Sequence, residues 1–523
     1  MTGPKIALAG SYHVAPEGAT DLGDVDPQAP ITIVVHVKRR TPDQYQPGSA
    51  GDLARLSRPM TRETLAGERR RTHTRAVKRI TDMAIDHGLT IGRVDVVDRT
   101  VTLQGTARQM SEIFGVTLRT YDDGQHRFRA RVGQLLVPAE IAPFTRAVLG
   151  FDQRPLSVPV DRLQSFAGAA GPGLWPTDIA ALYGIPLDCD VSSVCVGIVA
   201  LGGGYLDSDL VQALGAMKRD PPAIVDVPTD GNSFGGGTSM ADQEIALDLQ
   251  VLASLLPKAR IAVYFADNSI DSLTDTIRQA VFDKVNRPQV VSVSWGSAEK
   301  FWTPDERDAM QAVLADAKRL HVSVLFAAGD ELATSGLSDG KVHVWFPASS
   351  PYALACGGTQ PTLAADNASI ATETVWHQGL SGTGGGISDV FPVPDYQTGL
   401  ALPASLNDGV VRRGVPDVAC AAAANPGYRI VVNGNETVKD GTSAATPLWA
   451  ALIAMANAQR GAPLGFANAA LYANRALFRP IVEGNNKFNG RGYDAGPNWN
   501  ACTGLGVPKG SDIIAALAAT PVA

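Results

Sequence analysis

Cysteine is scarce in this chain. Five in 523 residues (Cys189, Cys195, Cys356, Cys420 and Cys502) are odd in number and follow no ligand spacing. Neither a disulfide framework nor a thiolate metal site therefore defines the fold. Cys189 and Cys195 are near enough in sequence to pair, but free thiols are the expectation. Long apolar runs are missing too, which excludes a helical membrane protein. The stretch Met1 to Tyr12 holds one Lys in a short mixed segment and makes a poor secretory signal. Histidine thins out after the front of the chain, where only His321, His343 and His377 remain. His321 precedes a strand and the other two sit in mixed segments, so each is expected to be structural.

What is present fits a soluble globular protein, with 45% hydrophobic and 19% charged residues. The length exceeds one ordinary core, so two or more domains are expected. Charge is unevenly divided. Residues 1–170 carry 23 Lys and Arg against 18 Asp and Glu, and the remainder carries 22 against 34. A basic front joined to an acidic body implies that the two face each other. A nucleic-acid-binding arm is the weaker reading. The runs at Arg69 to Arg71 and Arg75 to Arg79 lie in a helical pattern with no aromatic platform.

Residues 1–30 are polar and rich in Gly, Asp and Pro, and are expected to be poorly ordered. Ile31 to Val37 reads as a strand and Thr61 to His87 as a helix closed by Gly88. Strands near Ile91 to Val97 and Thr100 to Gly105 follow, then a helix from Ala107 to Phe114. Strands near Val116 to Tyr121 and His126 to Ala130 complete a β-α-β-β-α-β order, that of a ferredoxin-like α+β unit. Residues 157–175 mix Ser, Gly, Ala and Pro and read as a linker. Beyond it the pattern changes. Val194 to Leu201, Ile261 to Phe265, Val290 to Trp295 and Val322 to Ala328 read as buried strands separated by helices. That alternation implies an α/β fold, a parallel sheet covered by helices on both faces. The triplet Gly202-Gly203-Gly204 lacks the spacing of a dinucleotide fingerprint, and no ribose-binding carboxylate follows it.

Three places carry chemistry. Asp440-Gly441-Thr442-Ser443 leads through Thr446-Pro447 into an apolar helix closed by Gly461. Ser443 thus stands at a helix entrance, either as a capping hydroxyl or as a nucleophile near the positive end of the dipole. Glu244 and Asp248 are four apart on a helix opening at Ser239, so they share a face. Their neighbours Ile245, Ala246, Leu247, Leu249, Val251 and Leu252 are apolar, so the pair reads as buried rather than solvated. Buried paired carboxyls split their proton affinities. Gly329-Asp330 follows the strand ending at Ala328, where ligands bind in parallel sheets. Asp330 is either a loop cap or a neutral acid able to donate a hydrogen bond.

Together with Ala200 to Tyr205, Ser292 to Gly296, Phe346 to Pro351, Cys356 to Thr359, Arg413 to Val418 and Cys502 to Gly506, these motifs resemble the sedolisin family, the serine-carboxyl peptidases, and its kumamolisin branch most. The likeness runs over nearly the whole chain. It implies a subtilisin-like α/β domain at 176–523, an inhibitory propeptide domain at 1–156, and maturation by self-cleavage in the 157–175 linker. It also implies that Ser443 attacks the peptide carbonyl and that Glu244 exchanges the proton. Asp248 would orient Glu244, and protonated Asp330 would stabilise the oxyanion with the Ser443 N–H. Activity should then favour acid pH. Trp295 is expected beside Glu244, and Gly384, Gly385 and Gly386 are expected to offer backbone to an extended substrate.

Two departures stand out. Ala200 occupies a position where some relatives extend the carboxylate network with Glu. At the family's calcium site Pro480 and Asn500 stand where aspartates belong. Calcium prefers anionic oxygen, so folding without calcium, and without any cofactor, is expected, even though Ile481, Gly496 and Asn498 retain carbonyls and Asp494 is near. Protein or peptide substrates, the chain's own propeptide as inhibitor, a monomeric state and extracellular action complete the expectation, with no nucleic acid or membrane partner. The basic front and acidic body suggest that the propeptide holds near neutral pH and lets go in acid. Tripeptidyl-peptidase action within the same family, a His-based subtilisin-type protease and an inactive binding module on the same scaffold are the competing readings. The missing His motif weighs against the His-based protease. The retained Ser443, Glu244, Asp248 and Asp330 weigh against the inactive module.

Overall fold

The computed structural model describes residues 3–38, 60–156, 173–229 and 235–521. Most of the expected linker, 157–172, lies outside the described residues.

The front domain is built from β1 (Pro30–Val37), α1 (Arg62–Asp86), β2 (Thr90–Asp95), β3 (Thr100–Thr106), α2 (Ala107–Phe114) and β4 (Thr145–Leu149). The sheet order is β2-β3-β1-β4, antiparallel throughout. Alternation in β1 buries Ile31, Ile33, Val35 and Val37 against the helices. The Thr61 hydroxyl accepts the Thr64 N–H at the start of α1. A Thr106/Gln109 capping box opens α2, and Gly115 closes it in the left-handed region. This is the expected ferredoxin-like unit with one correction. The hairpin at Thr117–Asp122 and Arg127–Val132 is not its last strand; it pairs with Thr20–Asp24 in a separate sheet. The true fourth strand, β4, lacks an alternating pattern because both of its faces are covered. Val148 enters the front core, and Ala147 and Leu149 pack on Ala309 of the second domain.

The expectation of poor order before residue 30 is also corrected. Lys5–Ala7 pairs with Leu136–Pro138, and His13 is buried between Asp152 and Glu306. Backbone pairing and polar contacts hold this segment, and a composition argument does not detect them.

The second domain carries β5 (Cys195–Leu201), β6 (Ala223–Pro228), α3 (Met240–Leu255), β7 (Arg260–Ala266), α4 (Ile270–Phe282), β8 (Val290–Val293), α5 (Pro304–Arg319), β9 (Ser323–Ala327), β10 (Leu354–Leu363), β11 (Ile370–Val375), β12 (Val418–Ala421) and α6 (Thr442–Arg460). The sheet runs β6-β7-β5-β8-β9-β10-β11, with β12 also on β10. All neighbours are parallel except β10 and β11. Every residue of β5 is buried, as a parallel strand covered on both sides requires. Helices α3 and α6 pack together, as do α4 and α5, and members of both pairs contact the sheet. The segment Gly173–Trp175 already belongs to this domain, because Leu174 N–H donates to Gly427 O and Leu174 O accepts from Arg429 N–H.

The front domain lies over α4 and α5. Asp316 on α5 accepts from Arg69 and Arg99, while Arg278 on α4 bonds Asp98 of the front domain. The Gly150 N–H donates to Asp271, and Leu156 exchanges hydrogen bonds with Asn268. A polar cavity of about 470 Å³ separates part of the two surfaces. The expectation of a basic face on an acidic face needs correction here. Arg69, Arg99 and Arg146 reach acids of the body, but Arg278, Arg319 and Arg287 of the body reach Asp98, Glu68 and Glu63 of the front. The charges interleave.

Candidate active site

The site forms where α3, the end of β9 and the start of α6 meet. Helix α6 is buried from Thr442 to Asn457, so most of that stretch is apolar and rich in Ala. Gly441 precedes it at φ 121°, a conformation closed to most side chains. A Cβ there would also stand 2.7 Å from Asp330 Oδ2. This turn sets Ser443 in the first turn of the helix, fully buried.

Helix α3 begins at the predicted capping box, with Ser239 accepting from Asp242 N–H and Asp242 accepting from Ser239 N–H. It carries Glu244 at 1% and Asp248 at 0% exposure. Burial pushes both carboxyls well up, with Asp330 adding to the rise at Glu244 and Glu244 adding to it at Asp248. Ser443 and Ser294 and the charge of Lys439 pull Glu244 back, whereas Asp248 has Ser294 alone. The groups that ease ionisation thus gather at Glu244 more than at Asp248. The Ser443 hydroxyl is close enough to ease that ionisation. Yet Ser443 Oγ and both Glu244 oxygens make no formed hydrogen bond among the described residues. Such contacts are often long without substrate and close only in the reacting complex.

Asp330 lies in the loop that follows β9, as predicted. It is 5% exposed, and burial with Asp440 nearby drives it up to about 7 in spite of two hydrogen bonds from Thr442. No imidazole joins the group. His343 pairs with Asp339, His377 bonds Asn485 O, and His321 lies against Gly465.

The structure adds detail at two of the expected positions. The Trp295 indole N–H donates to Val199 O of β5 at 3.0 Å, so this side chain ties the sheet. The hydroxyl that touches the carboxyl pair is that of Ser294, donating to Asp248 at 2.8 Å. Sequence reading passed over Ser294, although its place just past β8 was a signal. At Gly384 and Gly385 the close approach is to the protein's own backbone. A Cβ would lie 2.2 Å from Ala328 O at Gly384 and 2.3 Å from Ala501 O at Gly385, and Gly386 adopts φ 153°. This segment braces the Asp330 loop through Gly384 N–H to Gly329 O and Gly382 N–H to Asp330 O.

The calcium position does not suit a cation. Asn500 Nδ2 donates to Ile481 O at 3.2 Å and Gly496 O at 3.4 Å, the carbonyls a metal would need. Its Oδ1 accepts from Cys502 N–H, Thr503 N–H and the Thr503 hydroxyl. Asp494 turns away to Lys487. No group of three His, Cys, Asp or Glu able to hold a metal occurs among the described residues. All five cysteines are free, and no described helix is long and apolar enough to cross a membrane.

Comparison with known proteins agrees with this geometry. Residues 17–154 match the pro-kumamolisin activation domain, and residues 227–470 match the subtilase family. Kumamolisin from Bacillus sp. is 39% identical over 98% of this chain and 96% of its own. Sedolisin from Pseudomonas sp. is 28% identical over 78% of this chain and 73% of its own. A solved Pseudomonas sedolisin, bound to pseudo-iodotyrostatin, superposes with a TM-score of 0.59 at 28% identity, covering 66% of this chain and 98% of that one. The subtilisin-like fold, the front activation domain and the imidazole-free site lead to one assignment: the chain belongs to the sedolisin family of serine-carboxyl peptidases, in its kumamolisin branch, and carries its propeptide.

Proposed function

We propose that this is an acid-acting endopeptidase, made as a zymogen that cuts itself, in which Ser443, Glu244, Asp248 and Asp330 perform the chemistry. Ser443 Oγ attacks the scissile carbonyl as Glu244 takes its proton. The oxyanion receives hydrogen bonds from the Ser443 N–H and from neutral Asp330. Glu244 then returns the proton to the leaving amine, and water attacks the acyl-enzyme by the same path in reverse. Asp248, itself protonated and fixed by Ser294, keeps Glu244 the ionisable member. The observation that carries this reading is the dry carboxyl pair beside a helix-entrance serine with no imidazole near it.

Asp330 must keep its proton to donate, so activity should fall as pH rises through about 7. Gly384 to Gly386 are proposed to lie along an extended substrate, next to the Asp330 loop that Gly384 bonds. Acid operation suits extracellular work on proteins by a monomer. The front domain, seated on α4 and α5, is the inhibitor until a cut within 157–175 frees it. Asn500 supports folding without calcium. Incubating the purified chain at low pH, beside its Ser443→Ala variant, tests the whole. The native chain should shorten by about its front domain on a gel, and the variant should stay whole. Equal shortening of both would refute self-cleavage by Ser443.

A further inference from the structure

The side chain next to the nucleophile has no part in the mechanism above, yet it is the best-connected polar group in the site. Asp330 Oδ1 accepts two hydrogen bonds, from Thr442 N–H at 2.8 Å and from the Thr442 hydroxyl at 2.6 Å. The same hydroxyl accepts the Gly329 N–H at 3.2 Å. A backbone N–H can only donate, so that bond takes a lone pair of Thr442 Oγ1 and leaves its one hydrogen for Asp330. The direction of the bond is thereby fixed. Oδ1 is saturated by donors, and a proton on it would clash with them. A neutral Asp330 must carry its proton on Oδ2, which takes no hydrogen bond from any described residue. Oδ2 faces the open side of Gly441. A Cβ built on that glycine would sit 2.7 Å from Oδ2 and 3.6 Å from both the N and Cβ of Ser443. The free acid hydrogen thus points into the space beside the nucleophile.

We propose that Thr442 is a positioning residue for peptide hydrolysis: by occupying Asp330 Oδ1 from both its N–H and its hydroxyl, it confines the acid proton to Oδ2 and aims it at the oxyanion. This rests on the reading of Asp330 as the oxyanion donor. The groups facing Asp330 give the arrangement a second consequence. Burial and Asp440 hold its proton on, Thr442 alone favours its loss, and Asp330 in turn raises Glu244 across the site. Thr442 therefore also sets the pH at which the donor is lost.

The test compares Thr442→Val, Thr442→Ser and Asp330→Asn, each matured in acid and assayed on a chromogenic peptide across pH. Thr442→Val keeps the shape and removes the hydroxyl. Its kcat should drop about 10- to 100-fold with little change in KM. Its alkaline limb should move up by about one pH unit, because a hydrogen bond to the charged form is gone. Thr442→Ser should restore the limb. A Thr442→Val enzyme that is slower but keeps the native limb would reduce Thr442 to a structural role and overturn the proposal. Asp330→Asn separates the two ideas. If it leaves the alkaline limb in place, Asp330 is not the donor and the underlying reading fails. If it abolishes the limb while Thr442→Val does not shift it, only the Thr442 proposal fails. Should Thr442→Val not mature, Thr442→Cys takes its place, since a thiol is a weak donor. An intermediate upward shift supports the proposal, and an unmoved limb overturns it.

Discussion

Two sets of carboxyls in this molecule are equally dry and are held in different ways. Glu244 and Asp248 are buried on an almost wholly buried helix, and no cation among the described residues forms an ion pair with them. Asp316 and Asp98 are as deeply buried at the junction of the two domains, but guanidinium groups grip them: Arg69 and Arg99 for the first, Arg278 and Arg93 for the second. A buried charge must be neutralised, by a counter-ion or by a proton. The junction uses counter-ions, which fix a docking geometry. The site uses protons, which can be moved, and movable protons are what peptide hydrolysis needs. Burial alone therefore does not tell these two sets apart; a bonded guanidinium does.

The difference also sets how each region responds to pH. The site carboxyls have folded values raised above their unfolded ones. Their stabilising effect is complete in acid and fades as pH climbs through the folded values. Burial also pushes Glu306 up at the junction, but His13 more than offsets this, and its folded value ends below 4.5. Its contribution is present above that value and is lost as pH falls. Asp275 behaves likewise, held low by Arg278 against its burial. Asp98, in spite of Arg278, together with Asp271 and with Asp305 at about 6, is raised by burial and opposes the trend. Acid thus favours the site and weakens part of the clasp, which is the order of events a self-cutting zymogen requires.

The largest effect that would break this contrast is at Glu244. Glu244→Gln should lower peptidase activity by about 10²- to 10⁴-fold, the loss of a general base. It should not destabilise the fold at neutral pH, because it removes a buried carboxyl that has no counter-ion. Melting curves of Glu244→Gln in the Ser443→Ala background, taken from pH 4 to pH 8 (about the span of the raised values), should be flatter than those of Ser443→Ala alone. A large loss of stability instead would mean that Glu244 is charged and paired.

The matching change at the junction should act the other way. Asp316→Asn leaves Arg69 and Arg99 facing a neutral amide, and breaking a buried pair costs about 3 kcal/mol or more. Catalysis by the mature enzyme should be untouched. The front domain should loosen, so that maturation proceeds at a pH where the native chain stays whole and limited proteolysis cuts the domain sooner. Unchanged maturation and proteolysis would show that the pair does not hold the propeptide.

The site was largely legible in the sequence because its parts are local. A capping box fixes α3, four-residue spacing puts Glu244 and Asp248 on one face, and a glycine turn before Thr442 fixes the start of α6. The parallel sheet was legible for a similar reason, since strands buried on both faces read as unbroken apolar runs. What escaped depends on contacts far apart in the chain. Strand β4 is hidden because Ala147 and Leu149 face Ala309 rather than solvent. The direction of the interface charges was misread because a net count over 170 residues cannot show that Arg278 meets Asp98. The roles of Ser294 and Thr442 follow from hydrogen bonds to residues 46 and 112 positions away.

The smallest of these effects concerns a third way of treating a buried acidic position, which is to abandon it. Asn500, 6% exposed, has an amide that does the cross-linking a cation and its carboxylates would do. Its Nδ2 gathers two carbonyls, and its Oδ1 takes three donors from the loop that follows. Neither partner carries a charge, so no charge is desolvated there, in keeping with the proposed folding without calcium. A chelator should leave the melting temperature of the native chain where it was, and a marked fall would refute folding without calcium. Asn500→Asp sharpens the point. The new carboxylate still accepts from Cys502 and Thr503, but its other oxygen now faces the Ile481 and Gly496 carbonyls with no hydrogen between them. Stability should drop by roughly 1–3 kcal/mol, the cost of leaving buried acceptors unpaired. Added calcium should recover part of that loss in Asn500→Asp and none in the native chain, because only the variant offers the anionic oxygen that the ion prefers.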